Sequence, residues 1–256
     1  MIKLKFKIVN KNKFIFAILT IILLILIITI LIINNLNNKN KKEDKLKQNA
    51  IEVSTNIENT IKNEAKPKKE ITDWKLILVN IDNELPENYK IELEDVDQYR
   101  KFDERAIQEL KQMVEAERKS GASGMWVQSA YRSIDSQTKV FNEQVKEYIN
   151  QGKTKEEAEK LTLKIINKPG TSEHNLGLAV DFNYANYDFE ETTAFKWLKE
   201  NAEKYGFILR YPKDKVEITK VDYEPWHWRY VGVENAKKIN QLGLCLEEYI
   251  EYLQNN

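Results

Sequence analysis

The chain holds only two histidines, and each stands beside carboxylates in a short polar cluster. The first cluster runs Ser172, Glu173, His174, Asn175, Leu176, Gly177, Leu178, Ala179, Val180, Asp181. The second runs Glu224, Pro225, Trp226, His227, Trp228, Arg229, Tyr230. Two imidazoles and a carboxylate suit a catalytic zinc, which takes three protein ligands and keeps its fourth position open for water. His174, Asp181 and His227 are the expected ligands, for one zinc per chain. Glu224, three residues before His227, is then free to take a proton from the water and return it to a leaving amine. Two neutral imidazoles and one carboxylate leave the site net cationic, which favours polarising a carbonyl. A single His with a single Asp would be an ordinary polar pair. Here both histidines sit in such clusters far apart in sequence, as a metal site assembled from two strands requires.

The elements that must carry these residues follow from the hydrophobic pattern. Trp74 to Asn80 reads as a strand followed by a turn at Pro86. Asp103 caps a helix whose apolar positions Ile107, Leu110 and Val114 recur every three or four residues, and Gly121 ends it. Gly124 to Ala130 reads as a strand that delivers Tyr131, Arg132 and Ser133 to its end. A second helix carries Val140, Phe141, Val145, Tyr148 and Ile149 on one side, with Gly152 behind it. Thr154 to Glu157 spells a capping box for a third helix, which Pro169 and Gly170 terminate. Leu178, Val180 and Phe182 alternate with Ala179, Asp181 and Asn183, which places Asp181 opposite the aliphatic face of a strand. Thr193 to Tyr205 is amphipathic and stops at Gly206, and Phe207 to Tyr211 is the next strand. Trp226 to Val231 is extended, with Trp226 and Trp228 on the face opposite His227. Two short helices finish the chain around Gly243. Helices and short strands segregated in this way predict an α+β fold with a small antiparallel sheet.

Charge and composition bound the rest. Of 40 basic and 40 acidic residues, residues 1–70 take 14 lysines and 6 acids, so residues 71–256 are net acidic. An acidic body argues against a nucleic-acid partner. Its 186 residues suit one globular domain. Cys245 is the sole cysteine, so neither an intramolecular disulfide nor a thiolate metal cage is available, and a small buried side chain is its expected role. Residues 14–33 are apolar except for Thr20 and Thr29, and as a helix they span about 30 Å, the thickness of a bilayer core. Five lysines and no acid precede them within residues 1–13. That asymmetry predicts a signal anchor with a cytoplasmic N-terminus and an exported remainder. A cleaved signal peptide fits less well, because the apolar run is long and no small-residue cleavage site follows it. Residues 34–70, rich in Asn, Lys and Glu, are expected to be a tether reaching on the order of 35 Å.

The pattern Ser172-x-His174-x-x-Gly177-x-Ala179-x-Asp181, followed by Glu224-x-Trp226-His227-x-Arg229-Tyr230, resembles the VanY-like D-alanyl-D-alanine carboxypeptidases. Tyr131-Arg132-Ser133 with Gln137 matches that family as well, and the resemblance covers roughly Trp74 to Val231. It implies the zinc DD-peptidase (hedgehog-like) α+β fold and removal of a C-terminal D-amino acid from peptidoglycan stem peptides. Carried onto these positions, His174, Asp181 and His227 hold zinc and Glu224 is the general base and acid. Arg132 then steadies the substrate carboxylate or carbonyl, a task its planar charged fork suits. Gln137, Ser172, Tyr211 and Trp226 line the pocket by the same resemblance. Gly177 is expected where backbone approaches closely or φ is positive, while Asp103, Arg105 and Arg229 are expected to be structural. Two alternatives keep the zinc chemistry, an L,D-carboxypeptidase and a D,D-endopeptidase of cross-links. A non-catalytic wall-binding module is the third, and it would be marked by loss of Glu224 or Arg132; both are present. The expected assembly is a monomer at the membrane, exported beyond residue 33.

Overall fold

Four short antiparallel strands build the platform for the two clusters. They belong to a computed structural model that describes Thr29 and residues 69–122 and 124–256. The basic N-terminus, the apolar segment apart from Thr29, and the tether up to residue 68 lie outside the described residues. Among the described residues no helix is long and apolar enough to cross a membrane.

In chain order the elements are β1 (Leu93–Asp95), β2 (Lys101–Asp103), α1 (Ile107–Lys119), β3 (Val127–Ser129), α2 (Ile134–Asn150) and α3 (Lys155–Thr162). There follow α4 (Glu173–Leu176), β4 (Ala179–Phe182), α5 (Thr193–Asn201), β5 (Phe207–Leu209), α6 (Val216–Thr219), β6 (His227–Tyr230), α7 (Val233–Leu242) and α8 (Leu246–Asn255). The main sheet has the order β3-β4-β6-β5, and every pairing in it is antiparallel. β1 and β2 form a separate hairpin. This is the α+β architecture that the pattern of strands and helices predicts.

Register does the positioning. Asp181 on β4 is the direct partner of His227 on β6, and Ser129 on β3 is the partner of Asp181. Directly opposed residues of an antiparallel pair project from the same face, so the two donors meet without any loop having to bring them together. The opposite face carries Leu178, Val180 and Phe182, all wholly buried, against Leu110 and Met113 of α1 and Phe207 of β5. The alternation in β4 therefore separates chemistry from core, as its sequence predicts. An irregularity between Val127 and Ser129 shifts the β3 register, a device that re-aims a strand end next to a site.

Several elements differ from expectation, each for a local reason. Trp74 to Asn80 is not a strand. It is one 3₁₀ turn, Trp74–Leu76, capped by the Asp73 carboxylate, and the carbonyls of Lys75 and Ile77 are taken by the buried Arg229 guanidinium. Asp103 does not cap α1; it ends β2, and its carboxylate is occupied by the backbone and guanidinium of Arg105. Helix α3 starts at the predicted capping box on Thr154 but ends at Thr162, whose hydroxyl bonds back to Ala158, well before Pro169. β3 keeps only Val127–Ser129, of which Val127 and Ser129 pair with Phe182 and Asp181 of β4. Trp226 borders the cavity and Trp228 does not; the chain turns at Glu224, with the His227 amide on the Glu224 carbonyl, and β6 begins only at His227. The β1–β2 hairpin and the single turn α4 were not legible in the hydrophobic pattern.

Candidate active site

His174 enters the site from α4, not from a strand. Ser172 caps that turn, its hydroxyl accepting from the His174 amide, and Gly177 closes it in the left-handed conformation at φ 71°. A Cβ at residue 177 would have to displace the Ile91 methyl, and the left-handed dihedral itself calls for glycine here. Two residues later the chain is in β4, and Asp181 follows. The tight turn thus carries His174 itself and leads directly into the strand that bears Asp181.

One ligand atom from each of His174, Asp181 and His227 lies within 4.8 Å of the others, and all three residues are buried. His174 Nε2 stands 3.1 Å from Asp181 Oδ2, and His227 Nδ1 stands 3.0 Å from Asp181 Oδ1. The rings meet edge to face at 5.0 Å. The other nitrogen of His174 is already committed, since Nδ1 lies 2.7 Å from the Ala130 carbonyl. As that carbonyl can only accept, Nδ1 carries the proton and Nε2 offers its lone pair toward Asp181. Neutral imidazoles and a carboxylate closing on one point fit zinc, which favours nitrogen and oxygen donors in sets of three.

Glu224 Oε2 is 3.8 Å from His227 Nδ1, beside the donor set without being one of its three members. Burial pushes its carboxyl up to about 8; His227 and Arg132 oppose that rise, while Asp181 and Asp222 add to it. A carboxyl poised near neutrality suits proton exchange. Burial disfavours charge on His227, but the carboxylates of Asp181, Glu173 and Glu224 outweigh it and raise the ring to about 9. For His174 burial prevails and the shift is downward. Burial would raise Asp181, but the two histidines overcome it and hold its carboxyl well below the usual range.

Arg132 follows β3 and is held from two sides. Its Nη1 donates to Gln137 Oε1 at 2.9 Å and its Nη2 to Ser129 Oγ at 2.9 Å, with Asp181 Oδ2 at 3.8 Å. Gln137 is only 1% exposed on α2, and its amide donates to the Asn167 carbonyl at 2.6 Å. It is a buried support for the guanidinium as well as part of the cavity wall. These groups open on a cavity of about 620 Å³, also lined by Ser172, Tyr211 and Trp226. The Tyr211 ring lies 4.9 Å from the His227 ring, and burial, reinforced by Glu173, raises its hydroxyl well above the ordinary range, so it stays a neutral donor.

All nine residues singled out for metal, catalysis or pocket therefore border one cavity. Others that do so escaped the sequence reading. Tyr187 packs edge-on against Trp226 at 5.5 Å, and Asn167 reaches Tyr211 Oη at 3.4 Å. Tyr148, Val140 and Gln144 of α2 form the wall farther along. For Val140 and Tyr148 the only signal was the apolar stripe of a helix, which burial against a core would equally explain, and Gln144 carried none.

Comparison with known proteins adds to this geometry. A family model described as VanY, D-alanyl-D-alanine carboxypeptidase, matches residues 99–233. A D-alanyl-D-alanine carboxypeptidase of Enterococcus faecalis is 43% identical over 193 residues, covering 75% of this chain and 71% of that protein. A solved vancomycin-resistance D,D-pentapeptidase VanY variant in complex with Zn(II) is 43% identical, with a TM-score of 0.64 over 70% of this chain and 99% of the other. VanYB in complex with D-alanine-D-alanine is 42% identical, with a TM-score of 0.65 over 70% of this chain and 98% of the other.

Proposed function

The chain belongs to the VanY family of D-alanyl-D-alanine carboxypeptidases, and from that premise we propose how its own residues remove a terminal D-amino acid from peptidoglycan stem peptides. The enzyme is a zinc metallopeptidase. The observation that carries the reading is the convergence of His174, Asp181 and His227 on one point, with Glu224 beside them and Arg132 across the same cavity. When bound, zinc supplies a Lewis acid that polarises the scissile carbonyl and acidifies water.

The chain's own residues supply the rest. His174 and His227 present Nε2 and Nδ1 on either side of Asp181. Arg132, clamped by Ser129 and Gln137, offers a rigid fork to the free carboxylate of the peptide or to the carbonyl oxygen as charge develops there. Because Gln137 and Ser129 fix that fork before substrate arrives, little rotamer freedom remains to be lost on binding. Glu224, as its carboxylate, accepts a proton from water, holds it in a buried setting where burial favours the neutral acid, and hands it to the departing amine. Tyr211 and Trp226, both buried, give this part of the wall a low-dielectric surrounding, which strengthens each of these electrostatic contacts.

The finer assignments rest on the sequence. Residues 14–33 anchor the protein in the cell membrane, residues 34–70 carry the domain away from it, and residues 71–256 act outside the cell as a monomer. The basic flank before the apolar run supports this orientation.

Incubating the zinc-loaded enzyme with defined stem peptides and weighing the products tests the activity. A pentapeptide ending in D-Ala-D-Ala should lose one D-alanine and leave a tetrapeptide. Cleavage of tetrapeptides or cross-linked stems with the pentapeptide untouched would instead assign L,D-carboxypeptidase or endopeptidase activity.

A further inference from the structure

One buried carboxylate at the ligands takes no part in the chemistry above. Glu173 immediately precedes His174 on α4, is only 1% exposed, and does not border the cavity. Its Oε1 accepts from Arg210 Nε at 2.7 Å and from Arg229 Nη1 at 2.8 Å. Its Oε2 faces His227 Nε2 across 3.7 Å, and among the described residues neither atom has a hydrogen-bond partner. That separation is longer than a hydrogen bond, yet two buried polar atoms left unpaired are unfavourable, and a small tilt of the ring would join them.

We propose that Glu173 is a positioning residue for His227, its Oε2 accepting the Nε2 proton so that Nδ1 keeps its lone pair directed at the metal. The proposal rests on the zinc reading. His174 is held the opposite way round, with Nδ1 on the Ala130 carbonyl and Nε2 toward Asp181. The two ligands therefore use different ring nitrogens, each set by an acceptor on its far side. Such outer partners fix the tautomer and orientation of a metal-binding imidazole.

The anchor of Glu173 extends beyond the family match. Arg210, wholly buried, donates from Nη1 and Nη2 to the two carboxylate oxygens of Glu247 on α8, at 2.8 and 2.6 Å. Arg229, equally buried, is tied to the carbonyls of Lys75 and Ile77. A continuous chain of contacts, Glu247 to Arg210 to Glu173 to His227, thus connects the C-terminal helix to the metal-facing ring. Glu247 lies outside the matched residues 99–233.

The test uses the full-length chain in detergent with ¹⁵N-labelled histidine. With only two histidines in the chain, the spectrum of the zinc-loaded protein assigns readily. One ring should be protonated at Nδ1 and the other, His227, at Nε2; two rings of the same tautomer would overturn the proposal. Zinc affinity is then measured by chelator competition. Glu173→Gln places an amide donor where the acceptor stood and should weaken zinc about 10- to 100-fold, with loss of the His227 Nε2 proton signature. If that variant fails to fold, Glu247→Gln decides, and it should shift zinc affinity in the same direction by a smaller factor. Glu248→Gln removes the neighbouring contacts to Lys215 and the Cys245 amide, so it should lower the melting temperature and leave zinc affinity unchanged. Equal zinc loss in the Glu247 and Glu248 variants would reduce the effect to general stability and overturn the proposal. Wild-type protein that binds no zinc would overturn the function itself. Wild-type zinc binding with unchanged affinity in Glu173→Gln would overturn only the role of Glu173.

Discussion

At the scale of single residues, each role can be separated by what its loss should spare. Glu224→Ala removes the proton carrier and none of the three donors. Hydrolysis should fall by about 10²- to 10⁴-fold while metal analysis still finds zinc. Loss of zinc with unchanged cleavage would refute the assignment. Arg132→Lys keeps the charge but forfeits the fork that Gln137 and Ser129 clamp. Its kcat/KM on the pentapeptide should drop by roughly 10²-fold, the cost of one lost transition-state donor, without loss of metal. The ligand candidates were legible because histidine is so scarce in this chain. Glu173 was hidden although it adjoins a ligand, since nothing in its type or spacing distinguishes a buried carboxylate from a solvated one.

Elements position these residues through turns more than through long regular structure. The pairing of Asp181 with His227 fixes two donors on one face of the sheet, and the turn from Ser172 to Gly177 brings the third. Gly177→Ala should therefore cost more than its one methyl suggests. Alanine at φ 71° carries the left-handed penalty of about 1 kcal/mol, and its Cβ also meets Ile91. The expected outcome is a melting temperature lower by several degrees together with weaker zinc binding, as calorimetry and chelator competition would read. An unchanged metal affinity would mean that α4 can shift without disturbing His174. The Thr154 capping box and the alternation in β4 were readable because they are local. The replacement of the expected Trp74–Asn80 strand by a 3₁₀ turn was not, since the buried Arg229 that claims its carbonyls lies about 150 residues away in sequence.

For the molecule as a whole, the site should make stability depend on pH and metal together. In the metal-free protein Glu224 is raised by burial to about 8, and His227, despite its burial, is raised by its carboxylate neighbours to about 9. A group raised in the folded state lends stability that is complete below its unfolded pKa and lost as pH climbs through the folded one. For Glu224 that loss runs from about 4.5 to about 8, and for His227 from about 6.5 to about 9. Asp181 and Glu173 are held low, so their contributions vary only in acid and do not oppose the trend. The melting temperature of zinc-free protein should thus fall between pH 6.5 and 9. Added zinc should raise it at every pH, and by more at the alkaline end, because binding requires His227 to give up the Nδ1 proton. A flat profile without zinc would show that the buried pair is not coupled to folding.

The sequence by itself determined the donor types, the separation of polar and apolar faces in β4, the capping box on Thr154, and the α+β class. Each of these follows from composition or from spacings of two to four residues. Only the tertiary structure decided that His174 rides on a turn and not a strand, that Gln137 is buried beneath Arg132, and that the C-terminal helix reaches His227 through Arg210 and Glu173. Those outcomes depend on which distant groups compete for the same carbonyl, carboxylate or ring nitrogen, and that competition exists only once the chain has closed on itself.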